Sequence, residues 1–319
     1  MGDIAKGVLG GAWSLLVGWV LPTALNLAVF FFTAAPNLQN LSVIQRLWPS
    51  SEADTTLVLL VAAVLFGLVL NALQVPLYRV LEGYLLWPAP AYRYGCDRHR
   101  AAKRRLAGRL ERLRGDGRGT PVQRSLLEER LSRYPIDDAQ FAPTRLGNAI
   151  RRFEEYGHNR YRLDTQTLWN ELVGTAPDEI RRQVETARTS VDFFVALLYG
   201  HLAVALTTVA AVIHERKDIP LLLTTASCLV LLLPVWYRCA VASTDEWAAA
   251  VRALVNVGRI PLADSLGLEL PQDLAKEREM WTLVTRMSRR PYRETAVSAF
   301  APYRADLTNT ARSCPPPGP

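Results

Sequence analysis

Four cysteines in 319 residues are too few for a disulfide scaffold, which needs a dense framework of bridges. Histidine is equally scarce. His99, His158, His201 and His214 are the full complement, and none stands at ligand spacing with a second His or Cys on one element. Cys96 and His99 lie three apart, yet zinc takes three or four ligands. His214, Glu215 and Asp218 read as a solvated polar turn. The chain has no nucleophile elbow, no phosphate-cradling glycine loop behind a strand and no dinucleotide fingerprint. Gly115, Gly117 and Gly119 separate two helical patterns and read as a linker. No repeat of fixed period is present either. These absences leave no catalytic, cofactor or metal set, so an enzyme ranks behind two non-catalytic readings.

What the sequence does contain is apolar length. Hydrophobic residues make up 50% of the chain, which excludes a wholly disordered protein, and they are gathered into long runs. No charged side chain lies between Lys6 and Arg46, Asp54 and Arg79, Asp192 and Glu215, or Asp218 and Arg238. Each window can supply the roughly 20 apolar residues that cross about 30 Å of hydrocarbon. The expected spans are about 12–35, 55–78, 193–213 and 219–238. The first run is longer than the apolar region of a signal peptide, and Pro36 follows the small-residue site at Thr33 and Ala35, so it reads as a span.

Basic residues are distributed unevenly around these spans. Of 37 Lys and Arg, only Arg46, Arg216 and Lys217 fall in the loops after the first and third spans. Because Lys- and Arg-rich loops stay cytoplasmic, both termini are expected there, with a tight outer hairpin from His214 to Asp218. Trp13, Trp48, Tyr78, Tyr84, Trp87, Trp236 and Tyr237 fall where interfacial aromatic belts are expected.

The expected organisation is a transmembrane hairpin (1–87), a helical cytoplasmic domain (88–190), a second hairpin (191–243), C-terminal cytoplasmic helices (244–288) and a disordered basic tail (289–319). Ala102, Leu106, Leu110 and Leu113 form an apolar stripe on a helix from Cys96 to Arg114. A second helix covers Pro121 to Tyr134. A third starts at Pro143 and stops at Gly157, and a short fourth is capped by Asp164. No breaker stands between Pro177 and Pro220, which predicts one 37-residue helix from Pro177 to about Ile213, with span three continuing straight into the cytoplasmic domain. Span two is expected to continue to Trp87 with a kink at Pro76. After span four, Trp247, Val251, Leu254 and Val255 form a further stripe, interrupted at Asp264 to Gly267, and Pro271 opens a last helix.

Two motifs, Arg79-Val80-Leu81-Glu82-Gly83-Tyr84 and Pro143-Thr144-Arg145-Leu146-Gly147-Asn148, the latter followed by Arg160-Tyr161-Arg162-Leu163-Asp164 and Leu168-Trp169, carry a resemblance. The pattern resembles uncharacterised multi-spanning membrane proteins of high-GC soil bacteria. It covers about a quarter of the chain and implies a bacterial membrane protein; no functional residue carries over from it.

Three groups of polar residues are candidate sites. The run from Arg98 to Arg114 holds eight basic residues and one acid, Glu111. Topology, nucleic acid and anionic lipid all use such a composition, and its place beside span two favours lipid headgroups, with Arg98, Arg100, Lys103, Arg104, Arg105, Arg109 and Arg112 as contacts. Arg145, Asn148 and Arg152 recur at helical spacing with Arg160 and Arg162 nearby, a face able to hold a phosphate or carboxylate, or simply a solvated surface. Asn26, Asn71, Gln74 and His201 sit within spans, where polar groups are costly and serve either helix-to-helix hydrogen bonding or a conduction pathway.

The sequence therefore describes an all-α integral membrane protein with four transmembrane helices and helical cytoplasmic regions in a bacterial inner membrane. Two functions compete. One is a scaffold or anchor recruiting a soluble cytoplasmic protein, with anionic lipids as further partners; the other is an oligomeric ion channel or membrane effector, a homo-oligomer gated by the cytoplasmic domain. No cofactor or metal is expected, and nucleic acid is the least favoured partner.

Overall fold

The computed structural model describes residues 12–39, 45, 51–115, 120–214, 218–290 and 298–304. Of these, 84% are helical, and none forms a strand; Leu268 and Arg304 make an isolated antiparallel bridge. The helices are α1 (Ala12–Thr33), α2 (Glu52–Ala72), α3 (Gln74–Glu82), α4 (Ala89–Gly115), α5 (Pro121–Ser132), α6 (Arg145–Glu154), α7 (Tyr156–Tyr161), α8 (Trp169–Thr175), α9 (Asp178–His214), α10 (Ile219–Ser265) and α11 (Leu274–Arg289). Four of them, α1, α2, α9 and α10, are long and apolar enough to cross a membrane.

Local chemistry explains several boundaries. The Ser51 hydroxyl accepts from the Asp54 N–H and starts α2, while Thr120 and Gln123 form a capping box on α5. Within α1, Leu16–Val20 is a π-helical segment just before Pro22, which has no N–H to offer the preceding turn. Polar side chains serve the carbonyls there: Thr23 Oγ1 donates to Trp19 O (2.6 Å) and Asn26 Nδ2 to Pro22 O (2.7 Å).

Some boundaries differ from those expected. Span two breaks at Leu73, not at Pro76, which occupies the first turn of α3, where its missing N–H costs nothing. That helix stops at Gly83 (φ +94°) instead of Trp87. The helix expected from Pro143 starts at Arg145 and is interrupted at Glu155, so Gly157 lies inside α7. Asp164 caps a turn, accepting from the Gln166 and Thr167 N–H groups, and α8 begins only at Trp169. The helix of span four does not stop with its uncharged run near Arg238; it continues unbroken to Ser265 as a 47-residue helix. The last helix is capped by Asp273, whose side chain accepts from Ala275 N, and not by Pro271. By contrast, α9 is the continuous 37-residue helix expected. Arg46, Trp48, Glu215 to Lys217 and most of the basic tail lie outside the described residues. Part of that tail is packed, however: Phe300 and Tyr303 are buried, and Glu269 N donates to Tyr303 O.

The chain forms two compact units. The first comprises residues 1–149 and 185–247, the second 150–184 and 248–319. In the first unit, α1 meets α2 where Val20 lies against Gly67, and α1 meets α9 where Asn26 lies against Gly200, a contact so close that a Cβ on Gly200 would fall 2.2 Å from Asn26 Nδ2. Val204, Ala205 and Leu229 join α9 to α10, with Val29 and Phe30 packed against them. Outward, Leu57, Leu60, Leu65 and Phe66 of α2 are each more than half exposed, a surface suited to hydrocarbon. The two quoted motifs also meet in this unit. Pro143 sits against Gly83 and Gly95, leaving no room for a side chain at either, and Gly147 packs on the Glu82 carbonyl.

The second unit has its own core, built on Phe153, Leu163, Leu172, Leu254, Met280 and Trp281. A polar network runs through it. Tyr156 and Tyr161 donate to Asn256 Oδ1 (3.0 and 2.9 Å), and Arg259 Nε and Trp281 Nε1 both donate to Glu277 Oε1 (2.8 and 3.2 Å). Burial makes an unpaired carboxylate expensive, so these two donors are what allow Glu277, 4% exposed, to sit in the core.

Candidate functional site

Within the first unit, α4, α5, α6 and α10 surround a cavity of about 550 Å³. Its walls carry six arginines, Arg105 and Arg109 from α4, Arg130 and Arg133 at the end of α5, Arg145 at the start of α6, and Arg238 of α10. Tyr134, Asn148, Tyr237 and the apolar Ala102, Leu106 and Val241 complete the lining, and no carboxylate contributes to it.

Helix geometry assembles this set. Arg105 and Arg109 are one turn apart and share a face, as do Arg130 and Arg133. Arg133 is committed: its Nε and Nη2 donate to both carboxylate oxygens of Asp245, and Nη2 also meets Glu129 at 2.9 Å. The hydrogen bond to Asp245 raises its pKa above the usual value. The Tyr237 hydroxyl accepts from the Leu146 N–H (3.2 Å), linking the start of α6 to α10. Arg109, Arg130, Arg145 and Arg238 make no ion pair among the described residues.

The concentration of positive charge is visible in neighbouring groups. His99, 8% exposed, lies with its ring centroid 6.0 Å from that of Tyr134, the planes tilted by 49°. Burial, then Arg145 and Arg98, lowers its pKa from 6.5 to about 4. Burial raises the Tyr134 pKa while Arg145, Arg105 and Arg98 pull it down.

The basic helix is thus divided by use. Arg105 and Arg109 face the cavity. Lys103 donates to the carbonyls of Pro135 and Ile136 and to Asp138 (2.8, 3.0 and 2.9 Å), and Arg100 to the Asp138 carbonyl (3.2 Å); these two fasten the segment after α5. Arg98 and Arg104 are exposed, and Arg112 lines a second cavity with Arg109 and Arg130. Of the second cationic face, Arg145 and Asn148 both line the first cavity, although Asn148 has spent its amide on Ala142 and Thr144 and is 1% exposed. Its motif position is a loop clasp. Arg152, Arg160 and Arg162 belong to the second unit; Arg162 Nη1 lies 3.0 Å from His158 Nε2.

Among the span residues, Gln74 Nε2 donates to Asp192 Oδ1 (2.8 Å), as does the Tyr78 hydroxyl (2.8 Å). Asp192 is 6% exposed and Arg188 Nε is 3.9 Å away. Asn71 is exposed and lines a polar cavity beside Gln74 and Asp192. His201 packs edge-on to Trp236. Asn26 Oδ1 and His201 Nδ1 are buried with no hydrogen-bond partner among the described residues. Of the belt aromatics, Trp13, Tyr84 and Trp87 are exposed, whereas Tyr78 is buried.

Sequence reasoning passed over Asp192, using it only as a span boundary, and over Arg130, Arg133 and Arg238. The i, i+3 spacing of Arg130 and Arg133 was the available signal. Among the described residues no three His, Cys, Asp or Glu side chains gather to hold a metal. No family model, no curated protein and no solved structure matches the chain.

Proposed function

We propose that this protein is a bacterial inner-membrane anchor, with both termini cytoplasmic, that captures an anionic group in its arginine cavity and through it organises a partner at the membrane surface. The observation that carries this is six arginines around one cavity with no lining carboxylate, five of them, all but Arg133, in no ion pair among the described residues. Like charges held together raise the energy of the empty site, and an anion relieves it. Hydrogen bonds to charged groups contribute about 1.5–3 kcal/mol each, and arginine meets phosphate or carboxylate in a bidentate fork. The volume also falls in the range of about 300–1,000 Å³ typical of ligand sites.

Inorganic pyrophosphate tests the reading on the purified full chain in detergent. It is expected to raise the thermal midpoint and to bind saturably, with Arg130→Gln/Arg145→Gln losing at least about tenfold in affinity, as the loss of one charged hydrogen bond implies. Unchanged affinity in that variant overturns it. Orientation is tested by reporter fusions, expected cytoplasmic after Asp116 and Arg289 and external near Ser51.

The channel reading draws on the unpartnered Asn26 Oδ1 and His201 Nδ1 inside the spanning helices. It requires proton or ion flux in liposomes that changes in His201→Gln, and a silent parent protein removes it.

A further inference from the structure

Resting on the anion-site reading, we propose that the occupant of the arginine cavity is the headgroup of a phospholipid bearing two phosphates, held through its phosphodiester oxygens.

Three features select this chemistry. First, the cationic surface exceeds what one phosphate can use. Arg109 and Arg130 line both the cavity of about 550 Å³ and a shallower, more open groove of about 520 Å³ beside it. Arg105, Arg145 and Arg238 line only the first and Arg112 only the second, so a ligand with two separated phosphates can meet guanidinium groups in each.

Second, the walls are amphipathic. Ala102, Leu106 and Val241 lie beside the arginines of the first cavity, and Leu113, Leu126 and Leu127 beside those of the second. A fully hydrated polyanion gains nothing from such walls, whereas the glycerol and first methylenes of a lipid do. Third, Tyr237, Arg238 and Val241 belong to α10, one of the four membrane-length helices. They stand at the end of its uncharged run, which Arg238 closes, the level at which headgroups meet protein. Basic pockets beside spanning helices on the cytoplasmic side are known lipid-headgroup sites.

The test uses the full chain, purified in detergent and delipidated. It is titrated with cardiolipin, with phosphatidylglycerol at equal phosphate, and with inorganic pyrophosphate, following the thermal midpoint and counting bound lipid by native mass spectrometry. One cardiolipin per chain is expected, at least tenfold tighter than phosphatidylglycerol. Arg109→Gln/Arg130→Gln is expected to lose that preference, and Arg98→Gln/Arg104→Gln, on the exposed face, to keep it. Arg109→Lys/Arg130→Lys retains the charge; a correctly sized variant of this kind that binds cardiolipin more tightly than the glutamine pair shows that folding is not the cause. Equal affinity for the two lipids, or tight pyrophosphate binding that cardiolipin does not compete away, overturns the lipid assignment and leaves the anion site standing. Failure of all three probes to bind removes both.

Discussion

Acidification from pH 7 to pH 5 should destabilise this protein through His99. Its ring is buried beside Tyr134, Nδ1 has no hydrogen-bond partner among the described residues, and burial together with Arg145 and Arg98 holds the pKa near 4. At pH 5 the folded chain therefore keeps His99 neutral. An unfolded chain, with a histidine pKa near 6.5, is mostly protonated at that pH. The unfolded state binds more protons, so stability is full above about pH 6.5, declines as pH falls below it, and levels off below about 4. The whole difference corresponds to roughly 3 kcal/mol at 1.36 kcal/mol per pKa unit. Solvent screening of the exposed Arg98 and Arg145 trims this, and stopping at pH 5 trims it further, to about 1 kcal/mol. At about 2–4 °C per kcal/mol, the thermal midpoint should fall by a few degrees more in the parent than in His99→Gln, which removes the titration. Identical pH profiles for the two proteins would refute the argument. Saturating pyrophosphate should shrink the parent's loss, because an anion beside Arg145 cancels part of the repulsion that keeps His99 neutral.

Two further perturbations test how the spans are held. Tyr78→Phe removes one of the two hydrogen bonds to buried Asp192 and should cost about 1 kcal/mol of stability in detergent; in Asp192→Asn, where the charge is already gone, the same change should cost less, and strict additivity of the two substitutions would show that the groups are not coupled. Gly200→Val places its Cβ against Asn26 and should cost about 1–3 kcal/mol through overpacking. Adding Asn26→Ala should recover part of that loss, and no recovery would mean that the contact does not limit helix packing.

What the sequence determined by itself was whatever depends on solvent preference residue by residue. Four apolar runs long enough to cross a membrane are a property of composition, and their boundaries can be read from Lys6, Arg46, Asp54, Arg79 and Asp192 without any knowledge of packing. The length of α9 was legible for a similar reason: nothing between Pro177 and Pro220 breaks a helix, and helical hydrogen bonds are local. The break at Leu73 was not, since the chain places a proline three residues later and only the geometry shows that Pro76 has become a first-turn residue of a new helix. Nor could the end of α10 be read from Arg238, because a charge ends a hydrophobic run without ending the helix. The polar chemistry was decided by tertiary structure. Gln74 and Tyr78 reach Asp192 across 118 and 114 residues, and Arg133 reaches Asp245 across 112. Helical spacing pairs Arg105 with Arg109 and Arg130 with Arg133, but that both pairs share one cavity with Arg145 and Arg238 follows from how α4, α5, α6 and α10 pack. Coulomb energy depends on distance in space, and sequence separation does not record it.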